Sequence, residues 1–212
     1  MIEYDIGERL RDLSYCIKES PVNYEISQEK DKSLKSLFEI RKNFVQLIKT
    51  FVKEPWIENI NEENIELADK DFILPNIHET RADLIYRVKD ENVYFVLLEF
   101  QSTEDKKMPY RLLSYILEIW RRYSENETLP VVIPCVLYTG NTKWKVKTLR
   151  TLFDVSKEIE KYIPDFEYII IDVNRYTDKE LIETANLVSS VVYMSKSKDK
   201  NEVADKLRNI IN

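Results

Sequence analysis

Between Asp31 and Val52 the apolar residues Leu34, Leu37, Phe38, Phe44, Val45, Ile48, Phe51 and Val52 recur at helical spacing. This predicts one amphipathic core helix, with Asp31 or the polar cluster before it as cap. A shorter pattern, Ile6, Leu10 and Leu13 with Cys16, stops at Pro21 and predicts an N-terminal helical extension and linker over 1–30. Past the polar stretch 58–64, Ile65–Ala68 and Phe72–Leu74 are candidates for short strands. The period then changes. Arg81–Val88 and Val93–Gln101 are rich in β-branched and aromatic residues and flank the polar group Lys89-Asp90-Glu91-Asn92, a hairpin signature. Val93–Gln101 is apolar on both faces, which predicts a central strand covered on both sides.

Helical spacing returns from Met108 to Tyr123, with Met108, Leu112, Leu113, Ile116, Ile119 and Trp120 as the expected buried side and Pro109 in the first turn. Arg111, Tyr115, Glu118 and Arg122 form the opposite stripe. Val131–Tyr138 and Tyr168–Val173 read as buried strands, with a helix expected near Leu152–Tyr162 between them and helices over Lys179–Met194 and Val203–Ile211 after them. The succession predicts an α/β protein: a mixed sheet with helices on both faces in one domain, 31–195, followed by a helical tail, 196–212.

Composition narrows the chemistry. The 212 residues are 33% charged and 43% hydrophobic, which suits a globular domain with a real core. No apolar run reaches the roughly 18 residues that cross a bilayer, and the start lacks the basic and apolar regions of a secretion signal. A soluble, cytoplasmic protein is the expectation. Cys16 and Cys135 stand far apart, so neither a disulfide framework nor a thiolate zinc site is indicated. With His78 the single histidine and Gly7 and Gly140 the only glycines, His-rich metal sites, two-imidazole mechanisms and Gly-rich nucleotide loops are excluded, while carboxylate chemistry remains open. Net charge is −6, yet residues 106–150 hold nine Lys and Arg against three acids. That local excess reads either as solvated helix faces and a basic loop or as a nucleic-acid contact.

The acids just upstream decide how much this matters. If Asp90-Glu91-Asn92 is the hairpin loop, Lys89 pairs with Val93 and Asp83 falls opposite Glu99 on one face, ~4.5–5.5 Å apart. A four-residue loop would instead set Glu99 against Ala82 and turn the carboxylates apart. In the first register, Asp83, Glu99 and the Phe100 backbone carbonyl offer three oxygens to Mg²⁺ or Mn²⁺, and Gln101 shares the Glu99 face. Such an ion lowers the pKa of water and stabilises phosphoryl charge, with Gln101 orienting the water or holding the phosphate. Two acids at a strand end also serve as ordinary solvent-facing residues.

Four ordered blocks carry a more specific signal: Arg81-Ala82-Asp83-Leu84-Ile85-Tyr86-Arg87-Val88, Tyr94 to Ser102, Met108-Pro109-Tyr110-Arg111-Leu112-Leu113-Ser114-Tyr115, and Ile133 to Gly140. Together they resemble the Rpn family of recombination-promoting nucleases and transposase-like proteins, within the PD-(D/E)xK nuclease superfamily. The resemblance spans roughly Asp31 to Val192. It implies a restriction-endonuclease-like αβββαβ core, Mg²⁺-dependent DNA cleavage and recombination by bacterial mobile elements. On it, Asp83 and Glu99 are the metal-binding acids and Gln101 stands where the wider superfamily has Lys, a position at which family members commonly carry Gln. Asp31 and Lys35 look like the first-helix site residues. Lys106, Lys107, Lys143, Lys145 and Lys147 are candidate DNA contacts, Arg111 and Tyr115 are placed to reach the site or the DNA backbone, Trp144 is expected to pack, and a homodimer would suit double-strand cutting. Neutral Gln101 and the overall acidity leave an alternative: a catalytically weak or inactive DNA-binding or protein-interaction module of the same fold.

Overall fold

The computed structural model describes residues 32–68, 82–90, 93–145, 147–197 and 200–211. Five strands, β1 (Ile65–Leu67), β2 (Leu84–Lys89), β3 (Val93–Gln101), β4 (Val131–Tyr138) and β5 (Ile169–Asp172), lie in that order across one sheet. The β1–β2 and β2–β3 pairs are antiparallel, the latter with Lys89 opposite Val93, while β3–β4 and β4–β5 are parallel across the long connections 102–130 and 139–168. The helices are α1 (32–38), α2 (Arg41–Phe51), α3 (Met108–Arg122), α4 (Lys157–Glu160), α5 (Asp178–Glu183), α6 (Leu187–Ser195) and α7 (Lys200–Ile211). The succession α2-β1-β2-β3-α3-β4 is the expected αβββαβ order, and the mixed α/β architecture is consistent with a restriction-endonuclease-like fold. None of the described helices is long and apolar enough to cross a membrane.

Strand alternation assigns the two faces. Leu84, Tyr86 and Val88 of β2 with Val96, Leu98 and Phe100 of β3 pack against Leu34, Phe38, Phe44, Leu47 and Ile48 of α1–α2 and against Val188, Val191 and Val192 of α6. On the other side Ile85, Phe95, Leu97, Val136 and Tyr138 meet Met108, Leu112, Tyr115 and Ile119 of α3. β3 is therefore covered on both faces, as its unbroken apolar run predicts.

Four expectations change. The single core helix over 31–52 is two helices, broken at Glu39 and Ile40, where Ile40 takes an extended conformation. The cause is tertiary: the buried Tyr86 hydroxyl donates to the Phe38 and Glu39 carbonyls at 2.8 and 2.9 Å, and Asn43 Nδ2 donates to the Leu37 carbonyl. Tyr86→Phe keeps the ring stacked on Phe44, 3.9 Å between centroids, but strips both carbonyls of their donor. We expect a loss of about 1–2 kcal/mol, read as a lower urea midpoint. The helix near Leu152–Tyr162 shrinks to α4 after a 3-10 turn at Leu149–Leu152; no residue of α4 is buried, so a longer helix has nothing to pack on. The Lys179–Met194 helix splits at Ala185, whose φ is 46°, because Thr177 with Glu180 and Asn186 with Ser189 form two separate capping boxes.

The fourth change concerns the phase of α3. Tyr115 and Glu118, expected on its polar stripe, are buried, whereas Leu113 and Trp120 are only half-buried. Met108, Leu112, Tyr115 and Ile119 form the inward stripe, since the tyrosine ring supplies apolar area at the right spacing. The expected segments 1–30 and Phe72–Leu74 lie outside the described residues.

Candidate active site

The hairpin register is the first of the two alternatives. Lys89 faces Val93 and the ladder runs without a bulge to Leu84 opposite Leu98, so the next step sets Asp83 against Glu99. Each acid then braces the other strand's main chain. Glu99 Oε1 accepts from the Asp83 amide at 3.2 Å, and Asp83 Oδ2 accepts from the Phe100 amide at 2.9 Å. Because the Phe100 amide is taken by a side chain, the β2–β3 ladder stops there. The Phe100 carbonyl points to the same side as its own amide in a strand, toward the β2 edge.

Glu99 is 2% exposed, while Asp83 at the strand end is half-buried. Burial and the nearby Asp83 charge push the Glu99 carboxyl up to about 8, against the downward pull of Arg111. Arg111, from the second turn of α3, places one guanidinium nitrogen 3.0 Å from Glu99 Oε2 and another 3.3 Å from Asp105 Oδ2. Asp105 is fixed independently, accepting from the Lys107 amide with its carboxylate and from the Met108 amide with its carbonyl. On the other side Lys35 of α1 reaches to 3.7 Å from Asp83 Oδ1. Asp31, its expected companion, and His78 are outside the described residues.

The remaining candidates divide. Gln101 ends β3 on the Glu99 face, half-buried; its carbonyl accepts from the Thr139 amide, and its side chain makes no hydrogen bond among the described residues. Lys106 and Lys107 before α3, and Lys143 and Lys145 after β4, are exposed and form no ion pair among the described residues; Lys147 is half-buried. Since β3 and β4 run parallel and end side by side, these lysine loops leave from the same end of the sheet as Glu99 and Gln101. Arg111 faces the acids rather than solvent, and Tyr115, at 1% exposure, is core and has no surface to offer DNA. Trp144 is buried edge-on to Tyr138, as expected of a packing residue. Cys135 is buried in β4, with its thiol pushed up to about 12 by burial, and is no nucleophile. Sequence reasoning missed Asp105; an acid just ahead of a Pro-marked helix start was the available signal.

The donor set suits a hard divalent cation. Two opposed carboxylates, one buried and opposed by its neighbour's charge, plus a main-chain carbonyl leave positions for water and phosphate, the usual Mg²⁺ arrangement. Among the described residues no group of three or more His, Cys, Asp or Glu is placed to hold a metal.

Against known proteins, residues 28–212 match the family described as "Putative transposase, YhgA-like". The chain belongs to this family. Among its curated relatives, recombination-promoting nuclease RpnD of Escherichia coli O157:H7 is 25% identical over 130 residues, covering 57% of this chain and 49% of the relative. Recombination-promoting nuclease RpnC of Escherichia coli K12 is 24% identical over 125 residues, covering 56% and 42%. The inactive recombination-promoting nuclease-like protein RpnE of the same strain is 22% identical over 137 residues, covering 61% and 46%. The chain spans about half the length of the curated relatives it matches. No solved structure matches it. The family resemblance read from the four sequence blocks is thereby borne out.

Proposed function

We propose that this chain is a divalent-metal-dependent DNA endonuclease acting in recombination. The observation that carries the reading is the Asp83–Glu99 pair, opposed in register and interlocked through each other's backbone at the end of a buried strand. Asp83, Glu99 and the Phe100 carbonyl would hold the cation, which when bound supplies Lewis-acid stabilisation of phosphoryl charge and a more acidic water. The chain's own residues do the rest. Gln101, on the Glu99 face, orients water or phosphate through its amide, which has both donor and acceptor. Lys35 contributes the fixed positive charge that neutral Gln101 lacks, 3.7 Å from Asp83. Lys106, Lys107, Lys143 and Lys145 hold the DNA backbone across the same end of the sheet.

One relative carries an inactive name, and Gln101 is neutral, which favours as second reading a scaffold that binds DNA without cutting it. Supercoiled plasmid incubated with the pure protein separates the two. Nicking in Mg²⁺ or Mn²⁺, stopped by EDTA, is expected; retention of DNA with no cut in either ion gives the scaffold reading. Lys143→Ala with Lys145→Ala should weaken DNA binding at every sequence and lower the salt slope by about 2, at roughly 0.9 per lost phosphate contact. A slope equal to wild type would remove these lysines from the interface.

A further inference from the structure

The guanidinium of Arg111 spans two carboxylates of unequal standing. Asp105 is held at the start of α3 by the Lys107 and Met108 amides whatever Arg111 does. Glu99 Oε2, by contrast, has Arg111 as its hydrogen-bond donor, while Oε1 is taken by the Asp83 amide. Any cation that claims Glu99 from its open oxygen therefore meets Arg111 there. The third nitrogen of the fork, Nε, is buried with no hydrogen-bond partner among the described residues. Buried donors are seldom left unpaired, and Arg matches phosphate through two parallel N–H donors, so this seat leaves the fork short of an acceptor.

We propose that Arg111 is an exchangeable partner of Glu99: its guanidinium occupies Glu99 Oε2 until a divalent cation takes that oxygen, then, still anchored on Asp105, turns its freed donors to the DNA phosphate. Asp105 is a positioning residue in this scheme. The inference rests on the endonuclease reading and adds a competition within that site. It has a consequence that a merely structural salt bridge lacks. Removing the Arg111 charge takes a cation away from Glu99 and Asp105, so a divalent cation is held more tightly, while cleavage falls because the phosphate contact is gone.

The test is Mn²⁺ binding to the full chain without DNA, by calorimetric titration, with circular dichroism to confirm folding. Arg111→Gln should bind Mn²⁺ about tenfold tighter than wild type, the scale of one unit charge about 6 Å from a divalent ion at a near-water dielectric, and cut plasmid more slowly. Arg111→Lys, which keeps the charge on a point donor, should bind Mn²⁺ near the wild-type level and guards against a folding defect in the first variant. Asp105→Asn, which retains the amide acceptor at the start of α3, should weaken Mn²⁺ binding severalfold in the wild-type background and less in the Arg111→Gln background. Equal losses in the two backgrounds would mean simple through-space attraction and overturn the role of Asp105. If wild type binds Mn²⁺ and Arg111→Gln binds it no better, the exchange is wrong and the endonuclease reading stands. If neither protein binds Mn²⁺, the metal-dependent reading itself falls, and the exchange with it.

Discussion

Replacing Glu99 by Gln is expected to lower plasmid cleavage by roughly 10³-fold or more, the equivalent of about 4 kcal/mol of transition-state stabilisation. The same change should flatten the pH dependence of stability in EDTA. The two effects come from one fact, a carboxyl buried beside another acid at the end of β3. Glutamine keeps the size of the side chain and an oxygen for the Asp83 amide, so the hairpin register survives. The linkage has a definite sign. In the folded chain the Glu99 carboxyl is raised from 4.5 to about 8, so between those values the native state keeps a proton that the unfolded state has released. Stability from this group is fully present below pH 4.5 and is lost as pH rises through about 8, at a limiting slope of about 1.4 kcal/mol per pH unit for one proton. Urea midpoints of wild type and Glu99→Gln, taken in EDTA across that window, check this directly. A wild-type slope that persists in the variant would place the proton elsewhere, and a variant that still cuts at the wild-type rate would remove Glu99 from the chemistry.

The parts of this site that were legible in the sequence are those set by local counting. A three-residue loop fixes Lys89 opposite Val93, and every pair back to the acids follows by the period of two. Apolar runs without alternation marked β3, β4 and β5 as covered strands, which holds for β3 and the second half of β4, whereas β5 lies at the sheet edge with Ile169 and Ile170 half-buried. What could not be read depends on contacts between distant segments. Nothing near Glu39 announces a helix break; the hydroxyl that makes it sits 47 residues away, on Tyr86. The rotational phase of α3 was misjudged because tyrosine counts as polar by its hydroxyl and apolar by its ring, and at position 115 the ring prevails. Arg111, from its place on that helix, was expected to reach either the site or the DNA backbone, and it reaches the acids. Its partners Glu99 and Asp105 are themselves close in sequence, yet only the turn of chain from β3 into α3 brings their carboxylates together on one guanidinium.

Asp172→Ala should destabilise the fold by about 3–5 kcal/mol, the cost of removing a buried charged acceptor and stranding its donors. Asp172 closes β5 with no exposed surface. Its carboxylate accepts from the Trp144 amide at 3.3 Å, the Asn174 amide at 3.0 Å and Asn174 Nδ2 at 2.9 Å, with Arg175 at 4.0 Å. Asn174 Nδ2 donates in turn to the Gly140 carbonyl at 2.7 Å. This carboxylate thus ties the end of β5 to the loop after β4, the loop that carries Lys143 and Lys145. That loop is packed so closely that a Cβ on Gly140 would meet the Tyr138 hydroxyl and the Ser102 carbonyl. Loss of the tie should loosen the lysine loop and leave the acid pair on the β2–β3 hairpin in place, because the two are joined through different strands. The expected signature is a lower urea midpoint and weaker DNA binding with Mn²⁺ affinity kept in the protein that remains folded. Asp172→Asn retains one acceptor oxygen and should lose about half as much or less. A loss under about 1 kcal/mol for the alanine variant would show that water or a neighbouring group can replace the carboxylate, and the loop would then owe its position to the packing of Trp144 on Tyr138 instead.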